Sequence, residues 1–231
     1  VSNESVEADN ENIMEMLDSM MIEHFCHYNT FFYIPYEDSL FLEEGAGATI
    51  PDSELAANLK ALNSPIPFEL NERVKNFITL YAFKRREQVS RMLGLTHLYY
   101  PMIEKYLDQN DLPLELKHLA VIESALNPNA VSKAGATGMW QLMYNTGKMY
   151  GMGVTSYIDE RRDPEKSTRA AIYFLKDLYK IYNDWLLVIA AYNCGPGNVN
   201  KAIRRSGGKT SFWEIQNYLP EQVQIVKSCI S

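Results

Sequence analysis

From residue 71 onward, apolar side chains recur every three to four positions, and the chain reads as a succession of helices. Val74, Phe77, Ile78 and Tyr81 form one stripe, and the spacing predicts two further helices over 87–93 and 99–107. Pro113 suits the first turn of the next helix, in which Leu116, Leu119 and Ala120 share a face. Asp163-Pro164-Glu165 is a start signal, a capping Asp followed by Pro. It opens a helix expected to run to about Tyr182, with Phe174, Leu175, Leu178 and Ile181 inward. The stretch 185–192 is nearly all apolar, which predicts a central helix. No useful strand alternation follows residue 70, so the main domain, 66–231, is expected to be all-α.

Residues 1–65 read as an irregular, partly helical leader. An amphipathic helix is expected over 12–25 and an extended aromatic stretch over 31–41. A Gly-rich loop follows over 43–51, then a short helix over 53–62, and Pro65 and Pro67 break the chain.

Composition narrows the class. With 46% hydrophobic and 22% charged residues in 231, this is ordinary globular usage. A net charge of -7 argues against a nucleic-acid partner, which calls for a basic stripe. Cys26, Cys194 and Cys229 are odd in number and far apart, which argues against a disulfide framework or zinc site and leaves a single bridge open. His24, Cys26 and His27 lack a second cluster to complete a metal set, and neither metal nor cofactor is expected. No run approaches the roughly 20 apolar residues of a membrane span. The chain starts at Val1, as a mature or trimmed piece would, which leaves a removed signal peptide or lipid anchor open. The 15 tyrosines suit either a carbohydrate-lined cleft or an ordinary core.

Three segments carry candidate chemistry. Glu123 continues the series Leu116, Leu119, Ala120 and so falls on the apolar stripe, in the last turn before Asn127-Pro128. Desolvation and the negative helix end both favour its neutral form, as a general acid requires. A glutamate tolerated at a helix margin fits the same spacing. The second segment runs through Ser132 and Gly135-Ala136-Thr137-Gly138 to Trp140-Gln141-Leu142-Met143. Its glycines permit tight turns, and a buried Gln141 would need partners that a polar ligand or the backbone could supply. It lacks the Lys and Ser/Thr of a phosphate loop. The third, Ala190-Ala191-Tyr192-Asn193-Cys194-Gly195, ends an apolar helix with an amide that both donates and accepts, or simply terminates it.

Glu123-Ser124 to Ser132, Gly135 to Gln141, and Ala190 to Gly195, in that order, resemble the motifs of the family 1 lytic transglycosylases. The likeness is greatest to the D group of membrane-bound lytic murein transglycosylases and extends from about Asn63 to Pro220. Asp159-Glu160-Arg161-Arg162-Asp163-Pro164 is also typical of that group. The resemblance implies a goose-type lysozyme-like fold and a peptidoglycan-cleaving enzyme of the bacterial envelope, periplasmic and in some cases membrane-attached. It implies catalysis by Glu123 and glycan-strand contacts from Ser132, Gly138, Gln141, Met143, Tyr192 and Asn193. One departure stands out: related enzymes usually carry, after Leu-Pro, a Tyr that faces the catalytic Glu, at the place where this chain has Ile225.

Asp159, Glu160 and Asp163 read as surface or capping groups rather than as a second catalytic acid. With one carboxylate, the substrate's own N-acetyl group must meet the charge at the anomeric carbon. Glu123 would then act as acid and next as base, giving a 1,6-anhydro end. A water-using lysozyme and a non-catalytic glycan-binding protein are the rival expectations.

Overall fold

The computed structural model describes residues 50–66 and 70–220. The expectations for 12–25 and 31–41, the His24, Cys26 and His27 group, Cys229 and Ile225 lie outside the described residues.

Among the described residues the fold is helical, and β structure is limited to three isolated bridges. Helix α1 spans Asp52–Ala61. Helix α2, Glu72–Thr79, is capped by Asn71, whose Oδ1 accepts the Val74 amide at 3.1 Å. It runs into a π-helical turn, Leu80–Lys84. Such a widened turn is uncommon and tends to occur beside functional surfaces.

Helix α3, Arg86–Asp108, is one continuous rod of 23 residues and corrects the expectation of two helices. Pro101 lies inside it without ending it. The proline ring is on the solvent side, while Ile103 and Leu107 are fully buried and Tyr99, Met102 and Tyr106 pack on the core. Burial of that face outweighs the roughly 3 kcal/mol a mid-helix proline costs.

A 3-10 turn, Leu114–Lys117, precedes α4, His118–Ser124, so the expected single helix from 114 is split. Short α5, Tyr144–Met149, follows a long loop. Helix α6 spans Pro164–Tyr182, with Asp163 Oδ1 accepting from the amides of Glu165 and Lys166 at 2.9 and 2.8 Å. Phe174, Leu175 and Leu178 are buried as expected. Helix α7, Trp185–Cys194, is buried from Leu187 to Tyr192 and packs between α6 and α8, Pro196–Arg205. Trp185 stacks on Tyr179 with ring centroids 4.1 Å apart. The short α9, Phe212–Ile215, and a 3-10 turn, Gln216–Tyr218, close the described domain.

Pro101→Ala supplies the missing N–H on an exposed face. It should raise unfolding stability by about 1–2 kcal/mol, less than the full proline cost because the unfolded chain also gains freedom. An unchanged or lower denaturant midpoint would contradict this account of α3.

Candidate active site

Helix α4 carries Glu123 on its last turn. Leu116, Leu119 and Ala120 are buried, so the stripe is as the spacing predicts. Glu123 itself is half-buried rather than enclosed, because the helix stops one residue later and opens its end to solvent. Ala125 and Leu126 both take left-handed backbone, with φ of 55° and 62°. Such residues cost about 1–3 kcal/mol each and need a surrounding that fixes them. Here the Leu126 side chain is fully buried, and the Ala125 and Leu126 amides bond back to the carbonyls of Val121 and Ala120 at 2.7 and 3.2 Å.

Ser124 ties this end to the second segment. Its buried hydroxyl donates to the Met139 carbonyl at 2.8 Å and accepts the Asn127 amide at 3.0 Å. The next carbonyl along, that of Trp140, accepts the Tyr192 hydroxyl at 2.8 Å from α7. Trp140 is itself fully buried, with its indole N–H donating to Thr168 on α6 at 2.9 Å. The three sequence segments thus meet around residues 139–141. Burial raises the Tyr192 hydroxyl pKa well above its ordinary value, and the neighbouring Glu123 charge adds to the effect.

The loop between α4 and α5 is held by bridges from Thr137 to Val131 and to Leu142. Gly138 sits at φ +86°, and a Cβ there would fall 1.8 Å from the Arg161 carbonyl oxygen, so only glycine fits. Gln141 is buried, with φ +46°. Its amide nitrogen donates to the carbonyls of Gly138 at 2.8 Å and Ala130 at 3.3 Å. Its Oε1 is buried and makes no hydrogen bond within the described residues, which is costly for a buried acceptor. Ser132 is buried and its hydroxyl accepts the Ala136 amide at 3.0 Å, a bond that closes the turn. Met143 and Asn193 are half-buried. Cys194, next to Asn193 in the chain, is a free thiol whose pKa burial pushes up to about 12.

A buried arginine that sequence reading passed over braces this loop. Arg161 Nη1 donates to the carbonyls of Gly135 and Leu142 at 2.9 and 3.0 Å. Its Nε and Nη2 donate to the two oxygens of Asp159 at 2.9 and 2.8 Å. Asp159 Oδ1 also accepts the Arg161 amide at 3.1 Å and caps the 3-10 turn Glu160–Arg162, so of the two expected roles it takes the capping one, with the buried guanidinium as an added partner. Its spacing to Arg161 within the Asp-Glu-Arg-Arg run was the available signal. Asp163 does cap a helix, and Glu160 holds the Gly153 amide and pairs with Lys166.

This arrangement defines a lysozyme-like helical domain. Residues 101–215 match the transglycosylase SLT domain, and the chain belongs to that family. It is 39% identical over 137 residues to membrane-bound lytic murein transglycosylase D of Escherichia coli (strain K12), covering 55% of this chain and 30% of that protein. It is 37% identical over 116 residues to a putative tributyltin chloride resistance protein of Alteromonas sp. (strain M-1), covering 50% and 55%. It is 30% identical over 117 residues to the soluble lytic murein transglycosylase of E. coli (strain K12), covering 48% and 18%. The chain thus spans about a third of the first relative's length.

Burial raises the Asp159 carboxyl, but the hydrogen bonds and charge of Arg161 outweigh it and hold the pKa below the usual value. A carboxyl depressed in the folded state contributes stability above its unfolded pKa of about 3.9, lost as pH falls through the folded value. Asp159→Asn leaves a buried guanidinium unpaired and should cost about 2–4 kcal/mol at pH 7. The difference should begin to shrink below about pH 4 and close only as pH falls through the depressed folded pKa, where wild-type Asp159 is also protonated. Melts of the two proteins across pH check this, and a pH-independent difference would contradict it.

Proposed function

We propose that this domain is a peptidoglycan lytic transglycosylase that cleaves the bond between N-acetylmuramic acid and N-acetylglucosamine, with Glu123 as its single acid and base. The observation that carries the reading is the position of Glu123. It is a half-buried carboxylate at an open helix end, locked through Ser124 to the loop that holds the orphaned Gln141 oxygen.

Neutral Glu123 gives its proton to the glycosidic oxygen as the bond to the anomeric carbon breaks. The carboxylates downstream are committed elsewhere: Asp159 to Arg161, Glu160 to Lys166, Asp163 to a helix cap. The charge at the anomeric carbon is therefore met by the carbonyl oxygen of the sugar's own acetamido group, as in substrate-assisted glycosidases. Ionised Glu123 then takes the proton of the C6 hydroxyl. The freed oxygen attacks the anomeric carbon and displaces the acetamido oxygen, giving a 1,6-anhydro ring without consuming water.

Asn193, half-exposed at the last turn of α7, is the group we assign to orient the acetamido moiety. Tyr192 has spent its proton on the Trp140 carbonyl, so it can only accept a hydrogen bond from a ligand. The buried Gln141 oxygen takes a sugar N–H or O–H, and Met143 offers an apolar wall. Ser132 and Gly138 act by fixing the loop. Substrate location implies an envelope protein acting in the periplasm. No helix among the described residues is long and apolar enough to cross a membrane.

Glu123→Gln keeps the shape and removes the proton. Release of soluble fragments from purified sacculi should fall by about 10³-fold, while the melting midpoint stays close to wild type. Turnover within a few-fold of wild type would refute the assignment.

A further inference from the structure

Beside the Glu123 helix end lies a groove of about 870 Å³, within the size range of ligand sites. One wall is the end of α4, through Ser124, Ala125 and Asn127. The other is the π-helical turn and the start of α3, which supply Lys84, Arg85, Arg86 and Arg91. Glu87 is the acid among its lining residues, 3.9 Å from Arg91 and highly exposed, so it offsets little of this charge. Arg85 is held by Gln88 at 3.2 Å, whereas Arg86 and Arg91 are exposed. A chain of net charge -7 thus gathers four cations at one edge of its candidate active site.

We propose that this groove binds the carboxylates of the acidic peptide stems carried by the glycan strand. The inference rests on the peptidoglycan reading above, because the stems are anionic and branch from the sugar next to the scissile bond. Two features match that ligand. Ser124, the residue after Glu123, lines the groove, so a branch from a sugar held at the acid has a short path to it. Its walls are mixed, with Met92 and Leu95 offering apolar contact along a peptide while the guanidinium groups take carboxylates in forked pairs. Residues 1–49 are the rival occupant, since they hold eleven acidic and no Lys or Arg side chains. The adjacency of the groove to the helix end that carries the acid favours the stems.

The test compares intact glycan strands with strands stripped of peptide by an amidase, using the full chain. The readout is the ratio of kcat/KM on the two substrates. The double charge reversal Arg86→Glu with Arg91→Glu should lower that ratio about 10-fold or more, and added salt should lower the wild-type ratio in the same direction. Strands whose stem carboxylates are amidated should behave as stripped strands. As a second readout, the free acidic tetrapeptide of the stem should bind the wild type and bind the double variant at least 10-fold more weakly by calorimetry. An unchanged ratio, or an equal loss on both substrates, would overturn the proposal while leaving the catalytic reading intact. Cleavage of neither substrate by the wild type would instead sink the catalytic reading. A full chain with Glu37, Asp38, Glu43 and Glu44 changed to amides provides the remaining arm. Faster turnover of both substrates alike, absent in the charge-reversed background, would give the groove to the leader and overturn the proposal.

Discussion

The hydrogen bond from Ser124 Oγ to the Met139 carbonyl is the joint on which the candidate site depends. Glu123 is the neighbour of Ser124, and Gln141 lies two residues beyond Met139. A single buried bond therefore sets the carboxylate against the loop. The Tyr192 hydroxyl binds the adjacent carbonyl and brings in α7, so both sides of the frame converge on two successive peptide groups. Each donor is buried with its acceptor, where losing a partner costs more than the bond is worth in water.

That frame also tolerates strain. Ala125, Leu126 and Gln141 are non-glycine residues in left-handed backbone, two just after Ser124 and one just after Trp140, on either side of the joint. Burial of Leu126 and the Gln141 side-chain bonds hold them there. The Arg161–Asp159 pair braces the same loop from behind and leaves no room for a side chain at Gly138. Rigid backing, a half-open carboxylate and an unsatisfied buried acceptor are together features that suit the proposed grip on a polar sugar.

Much of this was legible in the residue pattern. Helix α6 was readable to both ends, because the Asp163-Pro164 signal and the buried Phe174, Leu175 and Leu178 stripe agree with each other. Helix α3 was misread as two, because local propensity at Gly94 and Pro101 carries no information about the core that the opposite face finds. The helix of Glu123 was read too long, since nothing in Ala125-Leu126 announces left-handed backbone. Asp159 reads as a surface or capping group and does cap a turn, but its pairing with a buried arginine shows only in the folded chain. The cationic groove joins residues 84–91 to 124–127, a juxtaposition that only the folded chain creates.

The central claim is that Glu123 hands over one proton and recovers another from the sugar itself, with no water entering the product. Digesting purified sacculi in ¹⁸O-labelled water tests this most directly. The account predicts muropeptides that end in anhydro sugars and carry no label. Reducing ends with one ¹⁸O atom at the cleaved position would contradict it and make the enzyme a hydrolase.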